Sequence, residues 1–269
     1  MKKTVYAILI LIAFATVGCD RQNPSDDTPN KSHGSRVTNI LFAHGFLADS
    51  SVWDGYVRFT EHYQDKVWTT YRTSVSKTGS IAKRAEQLAN YINAQKFSDD
   101  SVVAVGHSMG GLDLRYIIGK GNEDQSDSNK FYRAAKTVHK IYTIATPHKG
   151  IDETTLDMLG SGGALDDLKP YNMEKFNQRY PCSTLKIDGR NIPMLAMRFH
   201  CNENNSDGAV TVQSQSLDGA PYTRKVFGGR HSDAAAIECP NATQELEQAD
   251  IIRGILENRE YEISTQPPK

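Results

Sequence analysis

Apolar, β-branched runs alternate with helical patterns along this chain, and that alternation predicts an α/β domain on a mostly parallel sheet, with helices on both faces. The runs are Val37–Ala43, Val67–Tyr71, Val102–Val105, Val138–Ala145, Met194–Phe199 and Tyr222–Phe227. Between the second and third, Ile81, Ala85, Leu88, Ala89 and Ile92 fall on one face at helical spacing. Near the end Leu246, Ala249, Ile252 and Leu256 do the same, after a capping pattern from Asn241 to Gln244. In a sheet of this kind, functional groups gather at the carboxyl ends of the strands. No internal repeat is visible.

At the N-terminus, Lys2 and Lys3 precede an apolar stretch from Val5 to Val17. It is too short to span a bilayer and has the length of an export-signal core. Its end, Ala15-Thr16-Val17-Gly18-Cys19, resembles the lipobox of bacterial lipoproteins, which implies a signal over 1–18 and lipidation of Cys19. The alternative is a plain secretory signal cut near Gly18. Asp20 resembles an inner-membrane retention signal. The expected location is therefore the bacterial cell envelope, lipid-anchored and facing the periplasm: the inner membrane where that rule applies, otherwise the outer membrane or the exterior.

Residues 19–35 are polar, rich in Asn, Asp, Ser and Pro, with no apolar residue after Cys19. Such a stretch cannot bury enough surface to fold and reads as a tether. The folded domain is expected over 36–260, long enough for one sizeable core, and 261–269 reads as a polar tail. The formal net charge of −1 gives no reason to expect nucleic acid as a partner. Setting Cys19 aside, Cys182, Cys201 and Cys239 allow one disulfide and one spare thiol. Cys182 with Cys201 closes the shorter loop, worth about 3 kcal/mol if unstrained, and Cys201 with Cys239 is the competing pair. Two further stretches stand out: Gly119 to Asn129 as a solvated loop, and Ile151 to Tyr180, with the hinge-like Gly160-Ser161-Gly162-Gly163, as either a lid or a surface excursion.

The most informative peptide is Gly106-His107-Ser108-Met109-Gly110-Gly111, placed between Val102–Val105 and a helix-like stretch from Leu112. A strand that reverses straight into a helix strains its turn residue, and small residues two before and two after it let the backbones pass closely. Ser108 is thereby marked as a nucleophile. A serine hydroxyl needs a base, and the base needs a carboxylate to hold its tautomer. His231, in the glycine-rich loop Phe227-Gly228-Gly229-Arg230-His231 after the last long strand, is expected as the base. His139, His148 and His200 lie in or beside strands, and His44, His62 and His107 precede the nucleophile; His107, beside Ser108, is expected to point elsewhere. For the acid, Asp207 follows the penultimate strand, while Asp188 and Asp218, each also before a glycine, compete as ordinary turn residues. Backbone N–H donors for a developing oxyanion are expected at Met109, after the nucleophile, and at Phe46, in the loop after the first strand. His44 is then structural.

Together, Phe42-Ala43-His44-Gly45-Phe46, Arg84-Ala85-Glu86-Gln87-Leu88, Gly106 to Tyr116, Ala145 to Gly150, Ser206-Asp207-Gly208 and His231-Ser232-Asp233 resemble the α/β-hydrolase superfamily, in particular the Pseudomonas and Burkholderia triacylglycerol lipases. The resemblance implies an α/β-hydrolase fold, and a serine carboxylic ester hydrolase acting on an ester or lipid through an acyl-enzyme; the lid reading, over 150–181, comes from the segment's own glycines and apolar residues and not from the resemblance. It also implies that Asp233 would be a ligand of a structural calcium; no cofactor is required for the reaction itself. The alternatives are an acyltransferase or thioesterase on the same machinery, or a non-catalytic binding lipoprotein. Acyl chain length, alcohol moiety and oligomeric state are not encoded in any motif here.

Overall fold

A computed structural model of the chain describes residues 39–61, 68–200, 205–220, 222–228, 231, 251–256 and 263–264. The signal and tether, Cys201, Cys239, Asp233 and the Asn241-to-Gln244 cap lie outside these, so the anchoring, disulfide and calcium expectations fall outside the described residues.

In chain order the elements are β1 (Asn39–Ala43), α1 (Asp54–Glu61), β2 (Thr69–Thr73), α2 (Ile81–Ala94), β3 (Val102–His107), α3 (Met109–Glu123), α4 (Lys130–Thr137) and β4 (Val138–Ile144). Then follow α5 (Glu153–Leu159), α6 (Gly163–Asp167), α7 (Pro170–Arg179), the short pair β5 (Lys186–Ile187) and β6 (Arg190–Asn191), β7 (Met194–His200), β8 (Tyr222–Gly228) and β9 (Ile263–Ser264). Seven strands form one sheet in the order β2-β1-β3-β4-β7-β8-β9, parallel throughout except at β9. All six predicted strands are present, and β3, an interior strand, is buried along its whole length, as a strand covered on both faces must be.

The two faces follow from alternation. Leu41, Val102 and Ala104 point to one side, where Ala85, Leu88 and Ile92 of α2 and Leu114 and Ile117 of α3 cover them. Ile40, Phe42, Val103 and Val105 point to the other, against Trp53, Tyr56 and the helical residues 251–256, of which Ile251, Ile252, Ile255 and Leu256 are buried. The face expected for α2 is the face found: Ile81, Ala85, Leu88, Ala89 and Ile92 are all buried, and Ser80 caps the helix by accepting from Lys83 N–H.

Two expectations change. The segment Gly119 to Asn129 is not all loop, because α3 continues through Glu123. Two glycines disguised those turns, since Gly is a poor helix former; Gly119 is there because a Cβ would lie 2.2 Å from the Tyr180 ring. The expected tail 261–269 contributes Ile263 and Ser264 to the sheet, pairing antiparallel with Thr223 and Tyr222. A two-residue edge strand leaves no periodicity to read, and what recruits it is the unpaired backbone edge of β8. Ile151 to Tyr180 folds into α5, α6 and α7, with Leu156, Leu165, Leu168 and Met173 buried against Met109 and Leu112 of α3.

Candidate active site

The site begins with a backbone crossing. Ser108 sits between β3 and α3 at φ 52°, ψ −128°, a conformation that costs a non-glycine residue of order 1–3 kcal/mol. The chain can make this turn only because its neighbours are small. A Cβ on Gly106 would lie 2.5 Å from the Gly111 nitrogen, and one on Gly110 would lie 2.3 Å from the Ala43 carbonyl oxygen. The turn is pinned by Ser108 N–H donating to Ile144 O at 2.8 Å. Ser108 is 4% exposed, and its hydroxyl faces the candidate base.

His231 Nε2 lies 2.8 Å from Ser108 Oγ, and His231 Nδ1 lies 2.8 Å from Asp207 Oδ2. A carboxylate only accepts, so the proton sits on Nδ1, and Nε2 is left as acceptor for the serine hydroxyl. Asp207 is buried and its own geometry is fixed. Oδ1 accepts from Ala209 N–H at 3.0 Å and Val210 N–H at 2.7 Å, while Oδ2 also accepts from Gln215 Nε2 at 3.2 Å. The backbone closes the same contact, with His231 N–H donating to Asp207 O at 2.8 Å. The structure thus brings together the three residues that sequence reasoning singled out.

The two competing acids are elsewhere. Asp188 has φ 52° and, with Gly189, turns β5 into β6, where its carboxylate accepts from Tyr132 OH at 2.9 Å. Asp218 pairs with Lys149 at the surface, 2.9 Å away. His148 is buried: Arg115 Nη1 donates to Nδ1 at 3.1 Å, so Nε2–H donates to Thr143 Oγ1, also 3.1 Å away. Burial, then the Arg115 charge, hold it neutral well below its usual range. His44 is structural, as expected. Val75 N–H donates to its Nε2 at 3.0 Å and its Nδ1–H donates to Gly45 O at 2.8 Å. His107 does not point away from the site, contrary to expectation: its Nε2–H donates to His231 O at 2.9 Å.

The loop after β1 approaches Ser108 so closely that a Cβ on Gly45 would lie 2.8 Å from Ser108 Cβ. Phe46, next in that loop, lines the same cavity as Ser108, and Met109 is the first residue of α3. A cavity of about 570 Å³ opens here, lined by Phe46, Leu47, Val52, Ile151, Leu159 and Leu168 together with the polar trio. Among the described residues no group of three or more His, Cys, Asp or Glu side chains could hold a metal ion. Asp233, the calcium ligand that the family resemblance implied, lies outside them.

One group missed by sequence reasoning holds that loop. Arg84 of α2 is fully buried and donates through Nη2 to His44 O at 2.6 Å and through Nη1 to Ser76 O at 2.7 Å and Gly45 O at 3.4 Å. Its Nε and Nη2 also meet Asp113 Oδ2 of α3, at 3.0 and 2.9 Å. Burial pushes the Asp113 carboxyl up to about 7 against the pull of that guanidinium. The signal was present as Arg84 on the apolar face of α2, an arginine where the pattern demands a hydrophobe.

Replacing Arg84 with Met removes the partner of a buried carboxyl and should cost about 3–5 kcal/mol in urea unfolding. Adding Asp113→Leu should recover part of that loss; equal midpoints for the single and double variants would show that the stranded carboxyl is not the source. With its folded pKa above the unfolded one, Asp113 gives the native state the extra proton, so its contribution in the wild-type protein is lost as pH rises from the ordinary carboxylate range through about 7, and in Arg84→Met, without the guanidinium that lowers the pKa, the fall in stability should extend to higher pH.

Comparison with known proteins agrees with this architecture. Residues 40–167, just under half of the chain, match the family described as "Putative serine esterase (DUF676)". Triacylglycerol lipase 2 of Saccharomyces cerevisiae is 29% identical over 153 residues, which is 55% of this chain and 40% of the yeast protein. The chain thus spans well under half the length of that relative. Among solved structures, Bacillus licheniformis lipase BlEst2 superposes in its propeptide form with a TM-score of 0.61 at 18% identity, over 83% of this chain and 51% of that one. Its mature form gives 0.58 at 18% identity, over 84% and 94%. The metagenomic carboxyl esterase MGS0156 gives 0.57 at 14% identity, over 84% and 77%. What these solved structures share with the chain is the parallel sheet and its flanking helices: the fold is that of the α/β-hydrolases.

Proposed function

We propose that the protein is a serine carboxylic ester hydrolase, lipase- or esterase-like, acting through Ser108, His231 and Asp207. The observation that carries this reading is the unbroken line from Ser108 Oγ through the His231 ring to Asp207 Oδ2, 2.8 Å at each step, opening on an apolar cavity. The serine-esterase family match over the nucleophile region and the lipase relative support it.

In the proposed reaction Ser108 Oγ attacks the ester carbonyl while His231 Nε2 takes its proton. Asp207 stabilises the imidazolium so formed without itself being protonated. Charge developing on the carbonyl oxygen is held by the N–H groups of Phe46 and Met109, each such donor being typically worth about 3 kcal/mol. Collapse of the tetrahedral intermediate expels the alcohol, which receives the proton from His231. Water, deprotonated by the same nitrogen, then hydrolyses the acyl-enzyme and restores Ser108. No step is routed through a metal.

The test is a chain-length series of p-nitrophenyl esters, with and without emulsified triglyceride, alongside labelling by a fluorophosphonate. Hydrolysis should be measurable on at least the shorter esters, and the label should sit on Ser108 alone. Asp207→Asn should lose about 10⁴ in turnover, since an amide holds the wrong imidazole tautomer, whereas Asp188→Asn and Asp218→Asn should stay near normal. Labelling that persists in Ser108→Ala, or a folded protein inert toward every activated ester, would sink the proposal.

The segment from Ile151 to Tyr180 is proposed to cover the cavity mouth. Leu156 is core at 4% exposure, but Met158 and Leu159 are 76% and 40% exposed, and Leu159 lines the cavity. Gly160 and Gly162 follow at φ 108° and 141° with open space around them, giving the freedom a hinge needs. Met158→Ser with Leu159→Ser should lower activity on emulsified triglyceride several-fold while leaving a soluble short ester nearly unchanged; equal losses on both would assign these residues to packing instead.

The location is likewise proposed, from Val17-Gly18-Cys19 and the polar stretch after it: a lipid anchor on Cys19, of which two chains or more give stable attachment. Cys19→Ser should release the protein from the membrane fraction, and unchanged fractionation would refute the anchor.

A further inference from the structure

His107 has no part in the proton path, yet it touches the residue that does. It is 6% exposed at the end of β3, adjacent to Ser108. Because a carbonyl can only accept, its Nε2 carries the proton and donates to His231 O at 2.9 Å. The two imidazole rings lie with centroids 4.9 Å apart at 42°, and Trp53 closes against the far side of His107 edge-on, 6.4 Å between centroids.

Among the described residues, three further contacts orient His231: Nε2 lies 2.8 Å from Ser108 Oγ, and the other two go to one residue. Its N–H and its Nδ1–H both go to Asp207, through the backbone oxygen and Oδ2. The bonds to Asp207 hold the N–H side of His231 and its ring. A bond from a different element to the carbonyl of the same residue fixes the main chain on both sides of its Cα. His107 supplies it from β3, the strand that also delivers the nucleophile, so a single stretch of backbone sets the positions of both Ser108 Oγ and the base.

We propose that His107 is a positioning residue for the base: its Nε2–H bond to the His231 carbonyl fixes the main chain that carries the imidazole to Ser108. The inference rests on the triad reading above. The bond needs a proton on Nε2, which the neutral ring already supplies. Burial holds His107 well below its usual range, with the neighbouring His231 acting in the same direction, so His107 itself brings no second charge to a place where His231 must become positive.

The test compares His107→Phe, which keeps ring packing but loses the donor, with His107→Gln, whose amide nitrogen reaches about as far as Nε2. A misplacement on the order of 1 Å is worth about a hundredfold in rate. Turnover of a soluble p-nitrophenyl ester should therefore fall roughly ten- to a hundredfold in the Phe variant at unchanged KM, with a parallel loss in the rate of fluorophosphonate labelling. The Gln variant should recover most of both. Should the Phe variant fail to fold, His107→Asn, whose amide is too short to reach, takes its place. Equal turnover in all three proteins would overturn the proposal, as would equal losses in the Phe and Gln variants that track their urea midpoints. A folded wild-type protein that is neither labelled nor active would fail differently, by removing the triad reading and with it anything for His107 to position.

Discussion

Everything polar in the candidate site depends on a backbone crossing too tight for side chains. β3 enters, Ser108 turns at positive φ, and α3 leaves over the top, with Gly106 against Gly111 and Gly110 against the Ala43 carbonyl. A Cβ at either glycine would overlap main-chain atoms, which cannot step aside as a flexible side chain could. The parallel register of β1, β3 and β4 carries the constraint outward. Ala43 pairs with Gly106 and Ile144 with His107, so the loops after β1 and β4 emerge on either side of the nucleophile. The strained turn is tolerated because three strands and a helix over-determine it.

The loop after β1 needs its own support, since it must lie within van der Waals contact of Ser108 while offering main-chain donors. Its support is the Arg84 guanidinium, whose planar fork reaches three carbonyls and one carboxylate at once. A lysine could not do this, because its ammonium is a point charge without fixed donor directions. The arrangement places a buried cation and a buried carboxyl behind the site rather than in it, where the low dielectric strengthens each hydrogen bond they make. Arg115 plays a comparable part on the other side of α3. It is buried, with its pKa drawn down to about 9 by desolvation, and it ties His148, Asn177 and the Tyr180 carbonyl together. The two arginines thus join α3 to the segments that border the cavity.

The sheet, the face of α2 and the elbow were legible in the sequence because each rests on local chemistry: β-branched runs, a 3.6-residue period, glycines around one serine. Asp207 and His231 were legible by a weaker route, their order in the chain and their positions after strands. The three Asp-Gly pairs that competed for the role proved to be turns, with Gly189, Gly208 and Gly219 at positive φ, so turn chemistry alone could not have chosen among them. Gly119 and Gly121 hid the last turns of α3 because their reason, close packing against Tyr180 and α4, is not local.

By itself, then, the sequence determined the α/β layering and which serine stands at the strand-to-helix turn, since hydrophobic period and steric exclusion act over a few residues at a time. Only the tertiary structure decided which carboxylate faces His231, that Arg84 braces the loop after β1, that Leu156 is core while Met158 and Leu159 are exposed, and that His107 turns toward the base. Those outcomes depend on distances between groups 24 to 124 positions apart in the chain. Such distances are set by how strands stack and helices cross, and no short-range pattern in the residues records them.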